Sequence, residues 1–459
     1  LTGLAGGGTE TFTAKGAIAN DKPVVLTSDG KAEQVVAFSR NFQKQENYHI
    51  TVASPTGYGQ MMVVGNGSGT VCAVVADGAT GEVPRVVIGT VNSSHVVTWG
   101  TPINLTSSAT DGVAVYYDPD NTCFVAIMTL ESAAEAYAAK ITFSGTTATL
   151  AATSSALTTN MSASTGYINA QYDVDNNKGH ILFGGPTNRM STLSLSGTTF
   201  TWGGLSDTWG DASSTLTINH SYVAGSYDVG LLTFADEDNK VGGYGLPTAM
   251  AYTVSGDTFT FGTKVVLKSD DQSGVNGSVT HSNGLIDGNG IICAWVRTNG
   301  TTEQQYAIIT LSGTGNRTVT VTKQDSFERS PGAYYDNSAE KYAAGSNYYN
   351  TAQGGVYNTV DKQHYLAYHN YSHYYAPKVR IVKYISNTEI EVETEHLNDN
   401  DQQNNYHAHI NLSGVGNGVI VLVANASEGS TYSTGNMAIT YAHNTTNLSP
   451  TNFLGLAAE

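Results

Sequence analysis

Short stretches in which apolar and polar residues alternate recur along this chain, and a Ser-Gly pair separates them in the clearest copies. They read AAKITFSGTTATLA around Ser144, STLSLSGTTFTWGG around Ser196 and MAYTVSGDTFTFGT around Ser255. Alternation with a period of two is typical of β-strands with one buried face, and the glycine supplies the positive φ of a tight turn. Each copy therefore predicts a β-hairpin. Further copies stand at Ser312, Ser93, Ser386 and, as a half copy, near Ala442.

A second hairpin with a different turn precedes the first in most copies. Its marker is tyrosine followed by aspartate or asparagine, as in YYDPDN and QYDVDNN. Asp and Asn side chains hydrogen-bond the backbone of their own turn and so favour such corners. Two hairpins give four strands in each repeat, and successive Ser positions lie 51, 52, 59, 57 and 74 residues apart. Four antiparallel strands at this period are typical of a β-propeller blade. The markers stand at Tyr117, Tyr172, Tyr227, Tyr335 and Tyr357.

The repeats predict an all-β chain folded as a β-propeller of seven four-stranded blades. The seventh blade lacks an outer strand, and we expect the alternating segment Lys31–Ser39 to supply it, because an open ring would expose two strand edges. Residues 1–43 would then carry the closing strand, 44–445 the propeller, and 446–459 an exit segment. A β-sandwich array and a β-solenoid are the alternatives, but the repeats are too short for separate cores and too long for solenoid coils. The blades are expected at 44–108, 109–159, 160–210, 211–272, 273–324, 325–397 and 398–445.

Composition supports a folded β-protein and excludes two kinds of partner. Charged residues make up 13% of the chain, and 38 Asp and Glu against 21 Lys and Arg give a net charge of -17. So few cations predict no binding of nucleic acid or anionic lipid, and no apolar run is long enough for membrane insertion. Cys72, Cys123 and Cys293 each lie in an apolar run, which predicts buried thiols; one disulfide is the alternative.

The best-preserved repeat joins YDVDNNK (Tyr172–Lys178) to SGTTFTWG (Ser196–Gly203), and a second copy reads SGDTFTFG (Ser255–Gly262). These blades resemble those of β-propeller domains in tail-fibre and other virion-displayed proteins of marine phages, including cyanophages. The flanks Thr13–Val35 and Asn447–Glu459 resemble that family's N-terminal segment and its exit into the next fibre element. The resemblance covers nearly the whole chain and is weakest in the blade at 325–397. It implies a virion or extracellular location, oligomeric assembly with virion or filament subunits, and contact with a host-surface glycan or protein.

The segment HYLAYHNYSHYYAP concentrates tyrosine and histidine in the longest repeat. Extra length on a rigid scaffold is where binding residues accumulate, and aromatic rings offer stacking surfaces for sugars. We therefore treat it as a candidate ligand-binding surface, projecting from one rim of the ring. Packing between blades, and a metal site at His369 and His373, are the alternatives. The candidate residues are Tyr365, Tyr368, His369, Tyr371, His373, Tyr374 and Tyr375.

Two further sets of residues carry weaker signals. Five histidines fall on expected inner strands and would line a hydrated central channel; two of them, on one strand face, could alternatively bind a metal. They are His49, His220, His281, His407 and His409. Three Asp-x-Asp-Asn turns are explained by turn chemistry, with a structural Ca²⁺ as the alternative, although none continues into a complete calcium loop. Their aspartates are Asp118 and Asp120, Asp173 and Asp175, and Asp236 and Asp238.

Motifs for catalysis are absent from the sequence. There is no GxSxG, no HExxH and no phosphate-binding loop, and VTWG (Val97–Gly100) only echoes a sialidase box. We therefore expect no enzyme and no cofactor. The expected function is a virion attachment or structural module, as in a tail fibre, spike or capsid decoration. The alternative is a secreted bacterial glycan-binding or glycan-active propeller, or a subunit of an extracellular filament.

Overall fold

A computed structural model of the chain gives the fold. It describes residues 24–26, 32–34, 37–45, 61–77, 83–93, 95–130, 134–159, 167–184, 188–209, 218–241, 244–268, 279–296, 304–327, 351–353, 355–370, 376–392, 405–416, 418–428 and 433–446. These residues form β-strands and turns, with two short 3-10 turns at Leu285–Asp287 and Thr314–Asn316 and no α-helix among them. None of the described residues belongs to a helix long and apolar enough to cross a membrane.

Two compact units divide the chain. The smaller comprises Leu1–Phe42 with Tyr441–Glu459, and the larger comprises Gln43–Thr440. In the smaller unit, β1 (Val24–Leu26) pairs antiparallel with β2 (Ala32–Gln34).

Six sheets of the larger unit share one plan, in which four consecutive strands lie side by side and each is antiparallel to the next. In sheets 1, 2 and 4 a two-residue strand also pairs with the third strand. Sheet 1 contains β4 (Met61–Gly65), β5 (Thr70–Asp77), β6 (Val83–Val91), β7 (Val97–Trp99) and β8 (Ile103–Asn104). Sheet 2 contains β9 (Thr110–Asp118), β10 (Cys123–Leu130), β11 (Glu135–Ser144), β12 (Thr147–Thr153) and β13 (Leu157–Thr158). Sheet 3 contains β14 (Tyr167–Asp173), β15 (Lys178–Gly184), β16 (Arg189–Ser196) and β17 (Thr199–Trp202).

The next three sheets follow the same order. Sheet 4 contains β18 (Asn219–Val223), β19 (Val229–Val241), β20 (Tyr244–Ser255), β21 (Thr258–Phe261) and β22 (Val265–Val266). Sheet 5 contains β23 (Thr280–Asn283), β24 (Ile291–Val296), β25 (Gln304–Ser312) and β26 (Thr318–Ser326). Sheet 6 contains β28 (Gly355–Asn358), β29 (Gln363–Asn370), β30 (Ala376–Ser386) and β31 (Glu389–Val392).

Sheet 7 differs because it gathers strands that are distant in sequence. Its order is β27-β32-β33-β34-β3, with β27 parallel to β32. The strand β3 overlaps the segment Lys31–Ser39 and lies beside β34. The strands are β27 (Thr351–Gln353), β32 (Asn405–Gly416), β33 (Val419–Glu428), β34 (Ser433–Thr446) and β3 (Ala37–Gln45).

The Ser-Gly phrases form the predicted hairpins between third and fourth strands. Ser144 pairs with Thr147 and Ser196 with Thr199, and Gly145 and Gly197 have φ of 55° and 61°. Glycine tolerates this left-handed conformation without a Cβ penalty, so the hairpin can reverse in two residues. The Tyr-Asp markers fall between first and second strands in sheets 2, 3, 4 and 6, also as predicted, whereas the copy at Tyr335 lies outside the described residues.

The apolar core lies between the facing surfaces of consecutive sheets. One cluster joins sheets 1, 2 and 3, and others join sheets 3 and 4, 4 and 5, and 5 and 6. Strands covered on both faces carry continuous apolar runs, and all but the last residue of β10 is buried. Burial of each large aliphatic or aromatic side chain stabilises the fold by about 1.5–3 kcal/mol. The three cysteines are free and buried in this core, which confirms the predicted thiols.

The first strands of sheets 1 to 6 and the strand β32 of sheet 7 lie next to one another in order. β4 contacts β9, β9 contacts β14, and the series continues through β18, β23, β28 and β32. β32 in turn contacts β4.

Candidate functional site

The predicted aromatic surface begins on β29, and its first residue belongs to the core. Tyr365 is 0% exposed, and its hydroxyl donates to Asp361 Oδ2 at 2.5 Å. Its backbone pairs with Val356 on one side and Ile381 on the other, in the middle of sheet 6. Because neighbouring strands and sheets cover the ring, Tyr365 packs and does not offer a ligand surface. This corrects the expectation for that residue.

The rest of the segment continues along β29 and beyond it. Tyr368 and His369 pair with Lys378 and Pro377 across the β29–β30 ladder. Their side chains are outside the described part of the chain. Four further candidate residues, Tyr371, His373, Tyr374 and Tyr375, lie outside the described residues altogether.

The histidines expected in a channel are buried where the structure describes them. His281 on β23 has Nδ1 2.8 Å from Thr233 Oγ1 and Nε2 2.7 Å from Ser221 Oγ, both on sheet 4. His220 on β18 is also buried. Contacts to side chains of the preceding sheet take up both nitrogens of His281, so it links two sheets and is not open to a channel. His49 lies outside the described residues, and the side chains of His407 and His409 on β32 are likewise undescribed.

A chain of buried polar side chains connects sheets 3 and 4. The Tyr252 hydroxyl lies 3.2 Å from His180 Nδ1 and 2.5 Å from His220 Nε2. The far side of the His180 ring approaches a carboxylate, with Nε2 3.4 Å from Asp173 Oδ2. The sequence analysis did not select His180 or Tyr252. A signal was present, because His180 interrupts the otherwise apolar run GHILFGG.

Burial keeps His220, His281 and His364 uncharged, and hydrogen bonds keep Asp173 ionised. Burial lowers the pKa of His220 well below the usual value and that of His281 to about 3. It also lowers the pKa of His364 to about 3, against a hydrogen bond with Ser282 that opposes the shift. Burial alone would raise the pKa of Asp173, but His180 and Asn176 hold it at about 2. At neutral pH the three histidines are therefore uncharged and Asp173 is ionised.

This network can hold sheets together but cannot meet a substrate. His180, His220 and Tyr252 are all buried, and Phe259 packs edge-on against His180 with ring centroids 5.6 Å apart. A general base must reach the proton that it removes, so a base sealed between two sheets has no route to one. The chemical role of these groups is to satisfy one another inside the core.

The three Asp-x-Asp-Asn turns share one hydrogen-bond scheme. In the first turn of sheet 3, Asp173 Oδ1 accepts from the backbone N–H groups of Asp175 and Asn176 at 3.0 and 3.1 Å, and Oδ2 accepts from Asn176 Nδ2 at 2.8 Å. The aspartates Asp118 and Asp236 accept equivalent bonds from Asn121 and Asn239. The motif is thus turn chemistry, as the sequence predicts. It forms the first turn of sheets 2 and 3, whereas the third copy lies at a bulge near the end of β19.

Carboxylates that could hold a cation come together at one of these turns. Asp173, Asp175 and Asp228 each offer an oxygen, and these oxygens lie within 4.8 Å of one another. All three carboxylates already accept hydrogen bonds: Asp173 within its own turn, Asp175 from the N–H of Gly225, and Asp228 from the Tyr222 hydroxyl.

An ammonium group occupies the corresponding place at the third turn. Lys264 Nζ lies 2.9 Å from Asp236 Oδ1 and 2.7 Å from Asp238 Oδ2. These two carboxylates are therefore neutralised by a side chain of the same sheet, and they are not positioned as a free cation site.

An open groove lies where sheet 1 meets the hairpin between the third and fourth strands of sheet 2. Its volume is about 440 Å³. The hydroxyl groups of several threonines offer polar partners to a ligand there, whereas the indole of Trp99 is buried, with 8% of the residue exposed. The lining residues are Trp99, Gly100, Thr101, Ile103, Thr146, Thr147 and Ala148.

No family model and no curated protein matches the chain. Among solved structures, a protein of unknown function from Dyadobacter fermentans is similar at a TM-score of 0.47 and 10% identity, covering 88% of this chain and 99% of its own. A proposed 6-phosphogluconolactonase from Bacteroides uniformis has a TM-score of 0.44 at 10% identity, covering 74% and 85%. A leech intramolecular trans-sialidase has a TM-score of 0.42 at 10% identity, covering 86% and 68%. Likeness of this strength carries no information on the activity of this chain.

Proposed function

We propose that the seven sheets form a closed seven-bladed β-propeller that serves as a non-enzymatic attachment or structural module of a virion. Support for the ring comes from the contacts between first strands, which run from β4 through each successive sheet to β32 and back to β4. Support for closure comes from β3, which completes the edge of sheet 7 beside β34. A closed ring leaves no long strand edge open to aggregation.

The observation that carries the non-enzymatic role is the use made of the buried polar groups. The histidines His180, His220 and His281 bond to residues of their own or the adjacent sheet, away from solvent. Groups of this kind in an active site would converge on a cleft that a substrate can enter. Here they rigidify a scaffold, and a rigid scaffold suits the display of binding loops.

The ligand we propose is a host-surface glycan or protein. Two parts of the chain are the candidates for contact with a glycan: the groove lined by Thr101, Thr146 and Thr147, and the sequence between β29 and β30, which contains Tyr371, Tyr374 and Tyr375. Aromatic rings bring a large contact area at a small cost in side-chain entropy.

Binding of the purified full chain to host-envelope glycans tests this proposal. The triple variant Tyr371→Ala, Tyr374→Ala and Tyr375→Ala should weaken binding about tenfold or more, a loss of about 1.4 kcal/mol, with little change in Tm. Tyr365→Ala is the matched contrast: this core tyrosine should lower stability by about 3–5 kcal/mol.

Three results would contradict the proposal. Wild-type binding by the triple variant would remove the aromatic segment from the site. Unfolding of the triple variant would assign those tyrosines to packing. Release of cleaved sugar from the bound glycan would make the chain an enzyme, in line with a secreted glycan-active propeller.

A further inference from the structure

In sheets 2 to 6, the turn between the first and second strands carries a dipeptide of one pattern, an apolar or aromatic residue followed by aspartate. We call these dipeptides the tips. Each lies between the first and second strands of its sheet, at the end where the chain reverses. The tips are Pro119-Asp120, Val174-Asp175, Tyr227-Asp228, Ile286-Asp287 and Val360-Asp361.

Three of the tips hold their apolar side chain out in solvent. Val174 is 49% exposed, Ile286 60% and Val360 43%. Turn formation does not require an apolar residue at these positions, because Asp, Asn and Gly meet the backbone demands of such corners. Single exposed apolar residues are ordinary, but a repeated one at the same turn of several sheets indicates a surface feature.

Hydrogen bonds link the tips of sheets 2 and 3 to the sheet that follows each, and an ion pair links the tips of sheets 5 and 6; between sheets 4 and 5 the first strands, which carry the tips, are in contact. The Tyr172 hydroxyl of sheet 3 donates to Asp120 Oδ2 of sheet 2 at 2.7 Å. Gly225 N–H of sheet 4 donates to Asp175 Oδ2 of sheet 3 at 2.5 Å. Lys362 of sheet 6 lies 2.7 Å from Asp287 Oδ2 of sheet 5. Contacts to the following sheet therefore hold the tips of sheets 2, 3 and 5 in place, and with them the dipeptides that carry Val174 and Ile286.

The charge of this surface restricts its partner. Every tip carries a carboxylate, and of the two lysines beside them, Lys362 pairs with Asp287 and Lys178 pairs with Asp257. A second copy of the same acidic surface and an anionic membrane would both be repelled. The exposed tip side chains Val174, Ile286 and Val360 are aliphatic and offer no ring face on which a sugar could stack. The ring of the fourth tip residue, Tyr227, packs against the core cluster of sheets 4 and 5.

We propose that the tips form a docking surface for a cationic protein segment in which lysine or arginine is interspersed with apolar side chains. The carboxylates attract such a segment, and the aliphatic tips bury its apolar side chains. The proposal uses only contacts between neighbouring sheets, so it holds whether or not the chain binds a glycan elsewhere.

Two synthetic peptides of equal length and charge, built from Lys-Leu-Gly and Lys-Ser-Gly repeats, test the proposal with the full chain. The chain should bind the leucine peptide about tenfold more tightly, and both affinities should fall as salt is added. The variant Val174→Thr, Ile286→Thr and Val360→Thr should remove the difference between the peptides. Leu150→Thr with Val392→Thr is the matched control. These residues are 38% and 37% exposed and lie on the fourth strands of sheets 2 and 6, outside the turns that carry the tips.

Several outcomes would overturn the docking surface. Equal affinity for the two peptides would show that the apolar tips contribute nothing to binding. Absence of binding by either peptide would rule out a cationic partner. An equal loss in the control variant would make the effect general to exposed aliphatic residues. A concentration-dependent dimer that the tip variant abolishes would assign the surface to a second copy of this chain.

Discussion

At the scale of single residues, close contact with the next sheet explains why glycine directly follows the aromatic residue at the end of a fourth strand. A Cβ at Gly100 would lie 1.8 Å from the carbonyl oxygen of Thr146, in the Ser-Gly hairpin of sheet 2. A Cβ at Gly262 would lie 2.2 Å from the carbonyl oxygen of Arg317, in the hairpin between the third and fourth strands of sheet 5. The Trp-Gly and Phe-Gly endings thus make room for the hairpin of the next repeat.

Gly100→Ala should therefore destabilise the protein. The added methyl group meets backbone, which cannot move aside as a flexible side chain can, so we expect a loss of about 1–3 kcal/mol in the free energy of unfolding. Gly204→Ala is the matched control, since Gly204 comes directly after the equivalent Trp202-Gly203 pair of sheet 3 and nothing lies within 4 Å of its Cβ position. Urea unfolding of the two variants checks this, and equal stability of the two would contradict the close approach.

At the scale of strands and sheets, local signals predict much of the fold. The Ser-Gly and Tyr-Asp turns fix where strands reverse, because both depend on residues within a few positions of one another. Contacts between distant strands escape such patterns. The burial of Tyr365 depends on its neighbours in sheet 6, and the Tyr252–His180 contact joins residues 72 positions apart. Alternation alone cannot reveal which polar residue will find a partner in the next sheet.

The edge strand β3 gives the prediction at this scale. Deletion of residues 1–45 removes β3 and leaves β34 as the edge of sheet 7. An unpaired edge offers a row of free N–H and C=O groups, so the truncated chain should aggregate at concentrations at which the full chain stays soluble. Light scattering during refolding measures this. Deletion of residues 1–23 keeps β1, β2 and β3 and is the control; equal solubility of both truncations would refute a protective role for β3.

At the scale of the whole molecule, neutral histidines between consecutive sheets link the fold to pH. His220, His281 and His364 come from sheets 4, 5 and 6, and burial lowers the pKa of each. In the unfolded chain their pKa returns to about 6.5, so the unfolded state binds more protons below that pH. The free energy of unfolding should therefore have its full value above about pH 6.5 and should decrease as the pH drops towards 3. Protonation of Asp173, whose pKa is about 2, would add to the loss below about pH 4.

The pH dependence can be assigned to individual histidines through its slope. Each neutral buried histidine contributes about 1.4 kcal/mol per pH unit between its folded and unfolded pKa, so three should give about 4 kcal/mol per unit between pH 5.5 and 4.5. His281→Gln should lower that slope by about one third, whatever it does to stability at pH 7, because the slope counts protons taken up on unfolding. Urea unfolding of the wild type and of His281→Gln at half-unit steps of pH measures both slopes. If His281→Gln kept the full slope, other groups would take up the protons on acid unfolding. That result would refute the conclusion that His281 is buried and uncharged between sheets 4 and 5.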